Sequence, residues 1–278
     1  MPKTVLITGA SSGFGYNTVL KFQREGWNVV ATMRSPEKDQ ELHKLDRVMV
    51  TRLDVKDRES IKAAVAETIE KFGSLDALVN NAGYGVAGFL EEASDEDIDN
   101  QIDTNLKGVI LVTQEVLPQM RKQKSGSIVN VTSVGGSIGL PMIALYNATK
   151  FAVEGLTESL RIELEQFGIS ACSVAPGAFK TGFGHNSNWL DGNAKPELDG
   201  LRESFQSHYS AILAQPPKPF GFGDPKDVAD LIYNCVTGTP SHRNFIGKDA
   251  KMLTFLRRFL PQKAMDKMFK DSILPKGW

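Results

Sequence analysis

The sequence predicts an α/β domain in which helices cover both faces of a parallel, doubly wound sheet. Three observations carry this. Short β-branched runs alternate with longer amphipathic segments along most of the chain, and that rhythm implies right-handed βαβ crossovers. A glycine-rich turn, Gly9-Ala10-Ser11-Ser12-Gly13-Phe14-Gly15, joins the first such run to the first helical stretch. The 278 residues, 41% of them hydrophobic, suffice to bury one full core, and no repeat or low-complexity segment divides them, so residues 1–278 read as a single domain.

In order, strands are expected at 4–8, 28–33, 48–53, 77–80, 127–132 and 170–175, each a β-branched run bounded by turn residues. Helices are expected at 15–25, 58–72, 95–122 and 145–167, where apolar residues recur at helical spacing. After Pro176-Gly177 the pattern loosens. Residues 179–224 are rich in Gly, Asn, Ser and Pro and include Gln215-Pro216-Pro217-Lys218-Pro219; a connection this long inside a compact domain serves as a lid or binding loop, here a substrate-side flap. A helix resumes at 226–236, a short strand follows at 244–246, and 251–271 alternates apolar with basic residues as a terminal helix on the surface, within a tail at 251–278.

A net charge of -1 and the lack of a long basic run argue against a nucleic-acid partner. Small molecules and further copies of the chain are the expected partners. Cys172 and Cys235 lie in apolar stretches without metal-ligand or redox spacing, so reduced, buried thiols and no metal are expected. The N-terminus runs through one lysine directly into a strand, without a signal-peptide core, and no run of ~20 apolar residues exists to span a bilayer. The expectation is a soluble, cytoplasmic protein without stable membrane insertion.

The glycine turn sits where a strand opens into a helix, which makes Gly9, Ser11, Ser12, Gly13, Phe14 and Gly15 a candidate dinucleotide cradle. Glycines let backbone amides approach a pyrophosphate, and the helix N-terminus adds positive potential. The spacing is Gly-x-x-x-Gly-x-Gly, distinct from the general Rossmann fingerprint. Where an NAD site places an acid after the second strand, this chain has Met33 and then Arg34; a guanidinium there suits a 2′-phosphate, so NADP(H) is favoured over NAD(H). Asp54 and Val55 follow the third strand, placed to meet an adenine. Asn81, Ala82 and Gly83 follow the fourth, beside the cofactor.

Tyr146 and Lys150 are four residues apart and share a helix face if the segment is helical. An ammonium in that place favours phenolate and would draw the phenol below its usual ~10, making Tyr146 an acid and base. Ser133 lies thirteen residues upstream in Val131-Thr132-Ser133-Val134-Gly135-Gly136. No Gly-x-Ser-x-Gly elbow surrounds it, so it is not read as a nucleophile.

With its glycine loop, Asn-Asn-Ala-Gly, Ser, Tyr-x-x-x-Lys and Pro-Gly motifs in this order over about residues 3–185, the sequence resembles the short-chain dehydrogenase/reductase family. The resemblance implies a single-domain Rossmann-type fold and hydride transfer between nicotinamide and a carbonyl or alcohol. Carried over by it, Asn105 in Asp103-Thr104-Asn105-Leu106 holds a water next to Lys150. Ser133 donates to the substrate oxygen, Tyr146 moves the proton, and Lys150 holds the nicotinamide ribose. Pro176, Gly177, Phe179 and Thr181 close over the nicotinamide, with Ala178 departing from the usual β-branched residue.

Within the family, the stretch 134–141 and the residues after Tyr146 look like the retinol and estradiol (hydroxysteroid) dehydrogenase branch, which implies a bulky, apolar ketone, aldehyde or secondary alcohol. Tyr84, Gly85, Val86, Phe89, Leu140, Met142, Phe183 and Trp189 are candidates to line its pocket. Small residues Ala148, Ala152, Gly155 and Ser159 on the Tyr146 helix suit helix pairing into a homodimer or homotetramer. Three other readings stay open: a catalytically silent dinucleotide-binding regulator, which would need an altered Ser, Tyr or Lys; an enoyl reductase, which would alter the Ser-Tyr arrangement; and a sugar-nucleotide epimerase, which would have a different glycine spacing and a longer C-terminal domain.

Overall fold

A computed structural model describes residues 2–181, 188–214 and 221–275, apart from the side chains of Ile212, Leu213 and Ile273. The chain begins with strand β1 (Thr4–Ile7), every side chain of which is buried, followed by helix α1 (Gly13–Arg24) and strand β2 (Asn28–Met33). Strand β3 (Val48–Arg52) leads to helix α2 (Arg58–Phe72). This helix is fixed at both ends: Asp57 accepts from the amides of Glu59 and Ser60, and Gly73 closes the last turn at φ 76°. Next come strand β4 (Ala77–Asn80), the short strand β5 (Val86–Ala87), helix α3 (Asp95–Ile102) with a Ser94/Asp97 capping box, and helix α4 (Gly108–Gln123).

Strand β6 (Gly126–Val131), helix α5 (Ala144–Glu165) and strand β7 (Ile169–Pro176) form the next crossover. Beyond it lie the short strand β8 (Asn188–Trp189), helix α6 (Asp199–Ala214), helix α7 (Pro225–Thr237), strand β9 (Arg243–Ile246), and helices α8 (Lys248–Phe259) and α9 (Gln262–Ile273).

Seven strands make one parallel sheet in the order β3-β2-β1-β4-β6-β7-β9. Strand order runs outward in both directions from β1 and β4. Such a reversal opens a crevice at the carboxyl ends of the strands, where ligands of this architecture bind. One core cluster, with Val5, Ile7, Phe22, Val29, Val129, Val174 and Ile232, lies between the sheet and α1 and α7. A second, with Leu6, Val30, Ile61, Leu78, Val112, Val116, Ile128 and Leu164, lies under α2, α4 and α5. The fold is the single-domain, Rossmann-type doubly wound sheet expected.

The structure corrects three expectations. The helix read across 95–122 is interrupted by a π-helical turn at Asp103–Lys107, where both ends of the Asn105 amide bond the backbone of Tyr84; a π-bulge of this kind re-aims a side chain at the cost of a regular turn. The flap at 179–224 is not loop throughout, because α6 lies inside it; its Gly- and Pro-rich composition is concentrated on either side of that helix. The terminal helix is two helices, broken at Pro261, which lacks the amide needed to continue α8. Phe183 and the segment 215–219 lie outside the described residues.

Cys172 on β7 and Cys235 on α7 are free and buried. Although distant in sequence they hydrogen-bond one another, and that bond together with burial pushes the Cys172 thiol far up. Among the described residues no helix is long and apolar enough to cross a membrane, and no cluster of His, Cys, Asp and Glu could hold a metal.

Candidate active site

The glycine turn is shaped by close approach. Gly9 adopts φ 65°, and a Cβ on it would lie 2.8 Å from the Ala82 Cα; one on Gly15 would lie 2.3 Å from the Gly9 carbonyl oxygen. Neither backbone can yield, so both positions require glycine. Gly13 also adopts a left-handed φ, 58°. Asn81 pins the turn by donating from Nδ2 to the carbonyls of Thr8 (2.9 Å) and Gly9 (3.0 Å). The buried Thr8 hydroxyl completes the clasp, accepting from the amides of Asn81 (2.9 Å) and Ala82 (3.0 Å). Ser12 caps α1 through its backbone conformation without a side-chain bond to the first-turn amides, which leaves those amides available to an anion.

At the end of β2 the register is resolved: Met33 is buried in the core and Arg34 points outward. Arg34 lines an open cavity of about 430 Å³ with Ser11, Tyr16, Ser35, Lys38, Asp39 and Glu41. Both carboxylates are engaged, Glu41 by the Tyr16 hydroxyl and Asp39 by the amides of Leu42 (3.0 Å) and His43 (2.8 Å). The side chains of Arg34 and Lys38 have no hydrogen-bond or ion-pair partner among the described residues. A cavity with two uncommitted cations beside a glycine cradle fits a dinucleotide carrying an extra phosphate. Asp54 and Val55 follow β3; Val55 is buried, and Asp54 accepts from the Lys56 amide at 3.0 Å.

Ser133, Tyr146 and Lys150 converge at the carboxyl end of β6. Ser133 Oγ accepts from the Gly135 amide at 3.0 Å and hydrogen-bonds Tyr146. Gly135 and Gly136 allow α5 to come this close, since a Cβ on either would sit 2.8 Å from the Asn147 Oδ1 or 2.9 Å from the Lys150 carbonyl oxygen. Lys150 Nζ donates to the Val131 carbonyl at 3.0 Å and lies 5.7 Å from the centroid of the Tyr146 ring. Asn105 is fully buried next to it; its Nδ2 donates to the Tyr84 carbonyl (2.8 Å) and its Oδ1 accepts from the Tyr84 amide (3.1 Å). Gly83 passes between, where a Cβ would lie 3.1 Å from the Asn105 oxygen and 3.6 Å from Lys150 Nζ.

The electrostatics depart from the expectation that Lys150 pulls the phenol down. Burial pushes Tyr146 up to about 12, against the lowering effect of the Ser133 hydrogen bond. Burial also draws Lys150 down to about 8, against the raising effect of Glu154. Desolvation penalises both charged forms and outweighs the Ser133 bond at Tyr146 and the Glu154 charge at Lys150.

After β7, Gly177 is pressed against the Asp249 carboxylate, which accepts from the Ala178 amide at 2.7 Å. Phe179 is buried and meets Phe14 edge-on, ring centroids 5.6 Å apart. Thr181 comes to 3.9 Å of the place a Cβ on Gly13 would occupy, so the Pro176–Thr181 loop closes against the glycine turn. Of the pocket candidates, Val86 turns into a buried cluster with Ala93, Leu145 and Leu190, with the partly buried Tyr84 packed against it. Trp189 meets Phe205 and Tyr209 of α6 edge-on at 6.0 and 5.9 Å, and those two rings stack on each other.

Three residues with structural leverage on the site escape sequence reading. Tyr209 reaches over from α6 closely enough for its charge to raise Tyr146. Glu92, fully buried, accepts from Arg202 Nη2 (2.8 Å), Arg202 Nε (3.2 Å) and the Lys195 amide (3.0 Å), latching α6 and the segment before it to the body. Glu154, also buried, accepts from Thr132, Ser173 and Arg243 Nε (2.7 Å), locking α5 to the sheet behind Ser133. A lone acid inside an apolar stretch, as in Phe151-Ala152-Val153-Glu154, was the available signal for the last of these.

Comparison with known proteins gives one consistent answer. The sequence profile described as short chain dehydrogenase matches residues 3–189. The chain is 37% identical over 283 residues to the uncharacterized oxidoreductase YusZ of Bacillus subtilis, covering 98% of each. It is 42% identical over 212 residues to the 3-ketodihydrosphingosine reductase of Bacteroides thetaiotaomicron, covering 76% of this chain and 75% of the relative. Among solved structures, ElxO with NADP bound is similar at a TM-score of 0.74 and 30% identity, over 91% of this chain and 100% of that one.

Proposed function

The chain belongs to the short-chain dehydrogenase family, and from that premise we propose that it is an NADP(H)-preferring carbonyl reductase and alcohol dehydrogenase acting on bulky, apolar ketones, aldehydes or secondary alcohols. The observation that carries this reading is the convergence of Ser133, Tyr146 and Lys150 beside the glycine cradle. Arg34 and Lys38 supply the preference for an added phosphate. A nicotinamide dinucleotide held there provides the hydride chemistry.

The residues do the rest. The Gly135 amide fixes Ser133, whose hydroxyl hydrogen-bonds the substrate oxygen. Tyr146, held at about 12, keeps its proton at neutral pH and delivers it as negative charge builds on that oxygen; general acid catalysis of this kind contributes ~10²–10⁴-fold. Lys150, drawn toward 8, lies close enough to neutrality to restore the proton and to hold a ribose. Asn105 fixes the Tyr84 backbone beside Lys150 and orders the path to solvent.

The aromatic wall of Trp189, Phe205 and Tyr209 supports this substrate class, and so does the name of the Bacteroides relative, a 3-ketodihydrosphingosine reductase. The exposed side of α5 carries Ala148, Gly155 and Ser159 with Phe151 (41% exposed) and Ile162 (63% exposed); this is the proposed pairing face of a cytoplasmic homodimer or homotetramer. The test is a panel of aliphatic, aryl and steroidal ketones mixed with NADPH or NADH. Consumption of NADPH faster than NADH, greatest with the bulky ketones, supports the reading, and no consumption with any ketone contradicts it.

A further inference from the structure

We propose that the outer face of α8 docks the protein peripherally on an anionic lipid surface. Helices α8 and α9 already satisfy their packing: Ala250, Met265 and Phe269 are buried with Val134 and Ile138, and Leu253, Leu256 and Met268 pack around them. The apolar residues left over face outward. Phe255 is 64% exposed, Phe259 66% and Leu260 38%. The two phenylalanines are one helical turn apart, their ring centroids separated by 4.9 Å, and Arg258 lies 6.0 Å from the Phe259 ring. Two adjoining exposed aromatics form a patch that folding of this chain does not require.

Charge selects the occupant. From Asp249 to Asp266 the chain carries Lys251, Arg257, Arg258 and Lys263 with no acidic residue between, while the whole chain sums to -1. A second copy meeting this face about a twofold axis would set these cations against their own equivalents. An anionic bilayer complements them, and a helix face of aromatic and basic residues is suited to the interface between headgroups and acyl chains. The docked face is also well placed. The inner side of α8 shares a cluster with α9 and with Val134, Ile138 and Leu140, of the segment joining Ser133 to Tyr146, so an apolar substrate dissolved in the bilayer would be held on the order of a helix diameter, ~10 Å, from that cluster. This inference goes beyond the proposed reaction and stands without it.

The experiment is sedimentation of the full chain with vesicles of phosphatidylcholine alone and of phosphatidylcholine mixed with phosphatidylglycerol. Binding to the mixed vesicles only, released by high salt, is expected. Lys251 and Arg258 are the exposed cations on the same side of the helix as the two phenylalanines, and at about fivefold per cation Lys251→Gln with Arg258→Gln should weaken partitioning about 25-fold. Phe255→Ser with Phe259→Ser should weaken it as well, with thermal unfolding unchanged because both rings are exposed. Equal binding to the two vesicle types, or none to either, overturns the proposal. So does a dimer in solution that the phenylalanine variant converts to monomer, which would make a second copy the occupant.

Discussion

Replacing Lys150 with methionine should abolish turnover while leaving the fold as stable as before, or more so. The side chain is 6% exposed, and burial lowers its pKa from 10.5 to about 8. At ~1.4 kcal/mol per pH unit, that gap places a net penalty of roughly 3–4 kcal/mol on the charged form near neutral pH. Methionine follows the same apolar path without the charge. The substitution forfeits the 3.0 Å bond to the Val131 carbonyl, worth about 1.5–3 kcal/mol for a charged donor. The balance lies between zero and about 2 kcal/mol in favour of the variant, a rise in Tm of up to roughly 6 °C.

The pH dependence identifies the cause. Because the folded-state pKa lies below the unfolded one, the unfolded chain binds more protons between about 8 and 10.5, and native stability rises with pH through that window. The variant lacks this term. Its advantage should therefore be full below pH 8 and fade as pH approaches 10.5, as read from urea or thermal unfolding of both proteins followed by circular dichroism. A variant destabilised by more than about 2 kcal/mol near neutrality, or a difference indifferent to pH, would refute burial as the origin of the Lys150 shift.

Two further outcomes are expected. Arg34→Ala should raise the Kd for NADPH by roughly 10- to 100-fold and leave that for NADH within about twofold, since a charge-assisted phosphate contact is worth about 1.5–3 kcal/mol; equal losses for both cofactors in fluorescence titration would remove Arg34 from the phosphate site. Glu92→Gln strips the charge from a fully buried acceptor of Arg202, and breaking such a pair costs about 3–5 kcal/mol. With the cost falling on the α6 latch, KM for a bulky ketone should rise several-fold and proteolysis near 188–202 should quicken, with NADPH affinity unchanged; an unaltered KM would show that the latch does not shape the pocket.

The parts of the fold legible in the sequence were those governed by local chemistry. The buried strands of a parallel sheet are short β-branched runs, and β2 and β4 fall where expected, at Asn28–Met33 and Ala77–Asn80. Gly9 and Gly15 could be read because their spacing at a strand-helix junction is itself the structural requirement. What escaped depends on contacts distant in sequence. The π turn around Asn105 answers to the Tyr84 backbone, 21 residues away. Glu92 meets Arg202 across 110 residues, and no local pattern announces that pairing. Helix spacing alone implies a lowered Tyr146 phenol and says nothing of burial; once both groups are enclosed, desolvation reverses the sign.

The central claim, that Tyr146 is the proton donor, is tested most directly by Tyr146→Phe with one reactive ketone. NADPH consumption should fall by ~10²–10⁴-fold while NADPH still binds with native affinity by fluorescence, because the ring and its packing remain. Turnover within about tenfold of the native rate, with the cofactor bound, would contradict the account.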